Sequence, residues 1–277
     1  MQFTKRHYKN ALTYLALILI VFIVDFPFFQ MLTVSFKTRQ EAMGSTKLFP
    51  EKINLQNIAL VWNNTDFPHD IFNSIIVAVF STGFCIVIAI IAGYAISRFR
   101  GRIFSGYSIM LLMLQLFPAV LLLIPMFVIF ARLNLMDTLF ACILAYTTRN
   151  LAFSIWMIKG FMDSIPFDLE EAGMIDGCTQ FSAFVRLIIP ISMPGISTVG
   201  IFTFINSWGE YMLASVLLRS SKNFTMPLGL QRFVEQFTTD WPSLMTASTI
   251  ATVPTILFLV FAQKYLIRGM SAGAVKG

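Results

Sequence analysis

Apolar residues in this chain come in long unbroken runs. Six of them, near 12–35, 71–97, 107–131, 138–160, 184–206 and 243–267, reach the roughly 20 residues that an α-helix needs to cross a hydrocarbon core. In lipid the backbone must satisfy its own hydrogen bonds, so a spanning segment is a helix or a strand of a closed barrel. None of the runs alternates as barrel strands do. The expectation is an all-α, polytopic membrane bundle of six transmembrane helices. The first run is longer than a signal-peptide core, lacks a clear small-x-small cleavage site and leads into Phe26-Pro-Phe-Phe29, so it reads as a retained anchor.

Composition supports a lipid-facing exterior. Of 277 residues, 57% are hydrophobic and 12% charged, and Phe alone occurs 29 times, whereas a soluble domain carries roughly 25% charge. Mean hydropathy is +0.75. So few charges cannot coat a soluble body of this size, which excludes a soluble two-domain protein, a disordered chain, a secreted disulfide scaffold and a nucleic-acid-binding module. Cys85, Cys142 and Cys178 lie far apart, without metal-ligand or disulfide spacing, and read as structural thiols.

The formal charge of +6 reflects 20 basic and 14 acidic residues. Lys5, Arg6 and Lys9, and the turn Arg98-Phe-Arg-Gly-Arg102, place the N-terminus in the cytoplasm. Lys37, Arg39, Lys47 and Lys52 on the other side make the bias modest. An even number of spans returns the C-terminus to the cytoplasm. The domain plan is therefore a cytoplasmic N-terminus 1–11, a membrane domain 12–267 and a cytoplasmic tail 268–277.

Within the second run, Ser81, Cys85, Ala89, Gly93 and Ser97 place a small residue at every fourth position, a face suited to close helix packing. Pro118 and Pro125 each free a carbonyl one turn back, at Leu114 and Leu121, and Pro254 does the same in the last run. Such kinks suit either a moving pathway or ordinary packing.

Between the fourth and fifth runs lies Ser164-Ile-Pro-Phe-Asp-Leu-Glu-Glu-Ala-Gly-Met-Ile-Asp-Gly177. Pro166 suits a first helical position, Asp168, Glu170 and Glu171 complement the positive helix end, and Gly177 is placed to stop it. These residues predict a cytoplasmic helix of roughly 11 residues, about 16 Å long. Ala172, Gly173 and Gly177 are small enough for another protein to come close; a surface helix capping the bundle is the plainer alternative.

Glu171-Ala-Gly, then Gly177, then Leu187-Ile-Ile-Pro190 resembles the EAA loop of permease subunits in binding-protein-dependent ABC importers: Glu-Ala-Ala, three residues, Gly, nine residues, Ile-x-Leu-Pro. The spacing matches throughout, with Gly173 in place of the second Ala, Leu187 for Ile and Ile189 for Leu. Met31-Leu-Thr-Val-Ser-Phe-Lys37, Asn73-Ser-Ile, Ala92-Gly-Tyr-Ala-Ile-Ser-Arg98, Asn206-Ser-Trp-Gly-Glu-Tyr211, Pro227-Leu-Gly-Leu-Gln231 and Arg268-Gly-Met-Ser-Ala-Gly-Ala-Val-Lys-Gly277 are similar to the sugar-uptake branch. The resemblance implies a MetI-like permease of type I ABC importers, the shorter of two permease subunits in the maltose/multiple-sugar class. It implies a bacterial or archaeal inner membrane and four kinds of partner: a second permease, an ABC ATPase dimer, an extracytoplasmic solute-binding protein and the sugar. The EAA coupling loop then covers 161–183, with Glu171, Ala172, Gly173, Asp176 and Gly177 docking the ATPase.

The chain has no phosphate cradle of the form G-x-x-x-x-G-K-[ST] and no H-E-x-x-H. No catalytic residue, metal ligand or cofactor is expected in it; ATP and magnesium belong to the partner ATPase. Energy must then enter from that partner, and the acidic helix is the place for it.

Asp25, Arg149 and Glu210 fall at or near membrane depth, where charge is costly and commonly functional. Arg149 sits about 16 Å into its run, beside Tyr146, Thr147, Thr148 and Asn150. Asn206, Trp208, Glu210 and Tyr211 close the fifth run. Aromatic faces, amides and carboxylates bind sugars, so Tyr146, Arg149, Asn150, Asn206, Trp208 and Glu210 are candidates to line a solute path. The alternative is that Arg149 pairs with Glu210 or Asp25 to hold the bundle. The long outside loops, about 36–70 and 212–242, are expected to face the binding protein. A phosphorylated polyol such as glycerol phosphate is the alternative solute, and a stand-alone secondary transporter the alternative class.

Overall fold

A computed structural model describes the backbone of residues 2–99, 101–234 and 239–274, and the side chains of 13–99, 101–234 and 239–263. Arg100 and the side chains of the basic N-terminus and of the 268–277 tail lie outside the described residues. The elements are α1 (Gln2–Ser35), α2 (Arg39–Gly44), α3 (Gln56–Asn63), α4 (Phe67–Arg98), α5 (Arg102–Leu116), α6 (Leu123–Arg132) and α7 (Leu139–Asp163). They continue with α8 (Asp168–Ile175), α9 (Gln180–Ala183), α10 (Ile189–Trp208), α11 (Met212–Leu217), α12 (Met226–Gly229) and α13 (Trp241–Ala274). A single isolated bridge, Val234 to Thr239, is the β pairing among the described residues.

Among the described residues, four stretches are long and apolar enough to span: Thr13–Ser35, Phe67–Arg98, Gln180–Trp208 and Trp241–Gln263. The expected third span is not one rod. It ends as α5 at Leu116, passes through extended Pro118 (φ −60°, ψ 119°) and resumes as a 3-10 turn and α6, bent by 98°. Pro118 causes the break by removing a donor and excluding its predecessor from helical geometry. Pro125 causes none, because it sits in the first turn of α6, where its missing N–H has no intrahelical partner to lose. Where the fourth span was expected stands one long helix, α7, whose 25 residues reach about 37 Å. It falls outside the apolar class because Thr147, Thr148, Arg149 and Asn150 interrupt it. The short helix was expected over about 11 residues; α8 has 8, starting two residues after Pro166.

The chain forms two compact units. One comprises residues 1–67 and 230–252. In it no residue of α1 from 13 to 34 is buried against the described part of its own chain, whereas Ser35 is. Asn57 donates its amide to the carbonyls of Ser35 and Lys37, both at 2.8 Å, and Thr246 Oγ1 donates to the Ser35 carbonyl at 3.2 Å. These bonds satisfy the carbonyls left open where α1 ends. Buried Lys37 donates to the carbonyl of Lys47 at 2.5 Å, drawing the loop after α2 inward.

The second unit comprises 68–229 and 253–277. Its centre is α7, which packs on α5 and α10. One apolar cluster joins Val77, Ala141, Tyr146, Leu213 and Leu217; another joins Ala89, Ile158, Met162, Ile188 and Val199. The small-residue face of α4 is spent on packing. A Cβ on Gly93 would lie 2.9 Å from Ile158 Cγ2, Cys85 Sγ donates to Ser154 Oγ at 3.2 Å, and Ser81 Oγ donates to Ser207 Oγ at 3.0 Å. Backbones this close let short polar side chains meet across the helices, which is how a bundle adheres where hydrocarbon supplies no hydrophobic force.

Candidate functional site

Two places bring the candidate residues together. The first is α8. Its acids Asp168, Glu170 and Glu171 occupy the first turn, where the helix dipole favours negative charge. At the other end Gly177 adopts φ +92°, its N–H donates to the Met174 carbonyl at 3.1 Å, and the Cys178 N–H donates to the Gly173 carbonyl at 2.9 Å. This crossed pair is a Schellman stop, which requires a residue at home with positive φ. Thr179 then caps α9 through its hydroxyl, which accepts from the Ser182 N–H at 3.2 Å. A π-helical stretch, Phe184–Ile188, carries the chain into α10.

Glu171, Ala172, Asp176 and Gly177 are exposed, as are Ile175 (86%) and Phe181 (74%). Exposed acids and exposed large apolar side chains in one loop are unlike the smooth cap of a bundle. Gly173 behaves differently from the expectation. It is buried within the chain, and a Cβ there would stand 2.6 Å from Leu187 Cδ1. Its smallness serves internal contact between α8 and the segment leading to α10, so it cannot be part of an outward docking face.

Glu170, expected only as one of three acids at the positive helix end, is the structurally committed acid. Its side chain is 2% exposed and forms an ion pair with Arg98, itself 6% exposed. Tyr94 Oη donates to Glu170 Oε2 at 2.7 Å, and Arg98 Nη2 donates to the Ile165 carbonyl at 3.2 Å. A usable signal was present: two consecutive acids on one short helix cannot share a direction, since neighbours point about 100° apart.

The second place lies on α7 and just beyond α10. Arg149 pairs with Glu210, so of the two acids considered for it, Glu210 is the one. Glu210 is 5% exposed at its side chain and Arg149 38%. Glu210 Oε1 also accepts the Leu213 N–H at 2.9 Å, capping α11, and Tyr146 Oη donates to the Glu210 carbonyl at 3.2 Å. Asn150 is buried and donates to the Tyr146 carbonyl at 2.9 Å and to Ser207 Oγ at 3.4 Å. Asn206 turns back on its own helix, donating to the Phe202 carbonyl at 2.8 Å. Trp208 is buried, its ring stacked at 6.1 Å from that of Phe204, which in turn stacks on Phe258 at 3.9 Å. Trp208 therefore presents no open face to a saccharide in this conformation. Arg149 and Asn206 keep partial exposure; Tyr146, Asn150, Trp208 and Glu210 are enclosed.

At the opposite end of α4, the loop before α12 is held by backbone capture. Asn73 Nδ2 donates to the carbonyls of Lys222 (3.1 Å) and Phe224 (2.9 Å), and the Met226 N–H donates to Ser74 Oγ at 2.6 Å. Asp137, at φ +59°, pins the same region: it accepts from the backbone N–H groups of Arg219 and Ser220, both at 2.9 Å, and from the Ser220 hydroxyl. Burial pushes its carboxyl up, but these hydrogen bonds, led by Ser220, outweigh that and hold it well below the usual carboxylate range.

An apolar helical bundle with an enclosed carboxylate paired to Arg149 and an exposed acidic helix between two of its long helices has the build of a membrane-embedded component. The chain belongs to the family described as binding-protein-dependent transport system inner membrane component, whose model matches residues 85–272. The fold is all-α and MetI-like, and the chain is a multi-pass inner membrane permease component. It is 33% identical over 99% of both chains to the inner membrane ABC transporter permease protein YcjP of Escherichia coli. It is 32% identical to the trehalose/maltose transport system permease protein MalG of Thermococcus litoralis, covering 97% of this chain and 98% of that one. It is 33% identical to the sulfoquinovosyl glycerol transport system permease protein SmoH of Agrobacterium fabrum, covering 91% and 89%. A bacterial ABC transporter involved in import of the acidic polysaccharide alginate shares the fold, with TM-score 0.81 at 20% identity over 94% of this chain and 96% of that one.

Proposed function

We propose that this chain is one of two permease subunits of an ATP-driven importer that takes a sugar from an extracytoplasmic binding protein. The sugar-transport names of full-length relatives support the solute class. On this reading α8 faces the cytoplasm with both termini, the EAA loop 161–183 docks a separate ATPase, and that ATPase binds ATP and magnesium. The observation that carries the docking is the exposure of Glu171 and Ile175 on α8, a helix otherwise fixed to the bundle, and of Phe181 on the following α9. The chain supplies a gate, with Glu171 as the acid that meets a basic residue of the ATPase; it has no catalytic role.

Between a neutral sugar and a phosphorylated polyol, the pairing of Arg149 with Glu210 favours the sugar. A guanidinium already neutralised by a buried carboxylate offers no net charge to a phosphate. The test is copurification of the tagged chain, then uptake into vesicles with the recovered ATPase and binding protein. Competition by neutral oligosaccharides, with glycerol phosphate inert, and loss of coupling in Glu171→Lys are expected. Uptake by this chain alone on an ion gradient overturns the reading.

A further inference from the structure

Helix α8 is attached to the bundle through more than the chain that leads into α10. Glu170 points inward, and both of its carboxylate oxygens are used: one by Arg98 and the other by Tyr94. These two residues lie four apart on α4 and so share a face one turn apart. Gripping one carboxylate from two levels of a helix fixes both the distance and the rotation of α8 relative to the end of α4. Arg98 is the last residue of α4, where a cation also meets the negative end of the helix dipole. Its two terminal nitrogens donate to Ser97 Oγ and the Ile165 carbonyl, so the guanidinium is anchored to the segment entering α8 as well. Tyr94 is further braced by the Phe184 ring, 4.3 Å away, on the π-helical stretch that leaves α9.

Such a connection is stiff for a physical reason. An ion pair with both partners buried cannot exchange its contacts for water, and releasing one side strands a charge in an enclosed space. A surface pair at the same positions would slip whenever α8 was pushed. A different, exposed face of the same helix carries Glu171. Two adjacent acids therefore divide the work, one facing out and one locked in.

We propose that Arg98, Glu170 and Tyr94 form a clamp that makes α4 move with α8, so that a displacement imposed on α8 reaches α4 directly as well as α10 through the chain. These are positioning residues. The clamp rests on the reading that α8 docks an ATPase, and it names a second route from that dock into the bundle. Through α4 the displacement arrives at the packed face with Ser81 and Cys85 and at the Asn73 and Ser74 end, which holds the loop before α12.

The test uses the whole importer in proteoliposomes, with its ATPase and binding protein, and reads solute taken up per ATP hydrolysed. A disturbed clamp uncouples the two, so hydrolysis continues while uptake falls. The ratio is expected to fall about twofold to threefold in Tyr94→Phe, about fivefold in Glu170→Gln, which keeps the shape and some hydrogen bonding, and about tenfold or more in Glu170→Ala. Copurified ATPase reports assembly in each case. A ratio within about twofold of wild type in assembled Glu170→Ala overturns the clamp. If that variant does not assemble, Glu170→Gln and Tyr94→Phe decide, and a wild-type ratio in both overturns it equally. A wild-type chain that recovers no ATPase removes the importer reading itself; a wild type that couples beside variants that couple equally removes the clamp alone.

Discussion

The pair between Arg149 and Glu210 is asymmetric, and the asymmetry makes a quantitative prediction. Glu210 is almost fully enclosed, while Arg149 keeps 38% of its side chain exposed. In Arg149→Ala the carboxylate loses its counter-charge and has no water to turn to. Stranding one member of a buried pair costs about 3–5 kcal/mol. In Glu210→Gln the guanidinium is the charge left over, and it can be hydrated through its open side. The amide also keeps an oxygen to accept the Leu213 N–H that caps α11. That loss is of order 1–2 kcal/mol, the range for a charged hydrogen bond replaced by a neutral one. The combined variant Arg149→Ala with Glu210→Gln leaves neither charge behind, so it is expected to recover at least about 2 kcal/mol relative to the sum of the two single losses.

Thermal unfolding of the purified complex in detergent measures all three, with Arg149→Ala lowering the midpoint on the order of 10 °C and Glu210→Gln by a few degrees. Uptake is assayed separately. If the double variant regains both stability and transport, the pair is an internal strut; if it regains stability alone, the exposed side of Arg149 also touches solute. Greater damage from Glu210→Gln than from Arg149→Ala, or strictly additive losses, would refute the reasoning from exposure.

Gly173→Ala sets two opposing contributions against each other: about 1 kcal/mol gained from better helix propensity and a similar loss from crowding the flexible end of Leu187. Combined with Leu187→Ile, which withdraws the crowding methyl, it is expected to be more stable than the parent by up to about 1 kcal/mol; purely additive midpoints would show that Leu187 does not set the need for glycine. Because folding depresses the Asp137 carboxyl, the stability it lends is complete at neutral pH and is lost only as the pH falls below the ordinary carboxylate range toward the depressed value. Asp137→Asn is expected to cost roughly 1 kcal/mol at pH 7 and to flatten the acid limb of a melting-midpoint profile; an unchanged acid limb would show that the carboxyl titrates normally.

What could be read from the chain alone divides by the range of the interaction. The long helices follow from runs of apolar residues, and the stop at Gly177 follows from glycine at a helix end, because both depend on neighbours within a few positions. Pro118 was legible as a perturbation, but whether the helix bends or breaks depends on what accepts the freed carbonyls, and so the 98° turn was not. That Trp208, expected with Tyr146, Arg149, Asn150, Asn206 and Glu210 to line a sugar path, is enclosed in this conformation was not legible for a similar reason. A tryptophan suits a saccharide face or a packed core equally well, and Phe204 and Phe258, far from each other along the chain, decide for the core.

Arg98 and Glu170 show the limit most sharply. They stand 72 positions apart, and each had a sufficient local explanation: Arg98 as a positive charge beside a membrane span, Glu170 as an acid at a helix start. Yet the doublet Glu170-Glu171 held information that neither reading used. Consecutive helical residues diverge by about 100°, so one partner surface cannot receive both acids. On a short helix lying against a bundle, the second must face inward. An inward carboxylate demands a buried cation, and such a cation has to come from another element that ends beside this helix. Among the described arginines outside the helix's own loop, Arg98 meets that condition at the end of α4, as the last residue before the chain turns into α5.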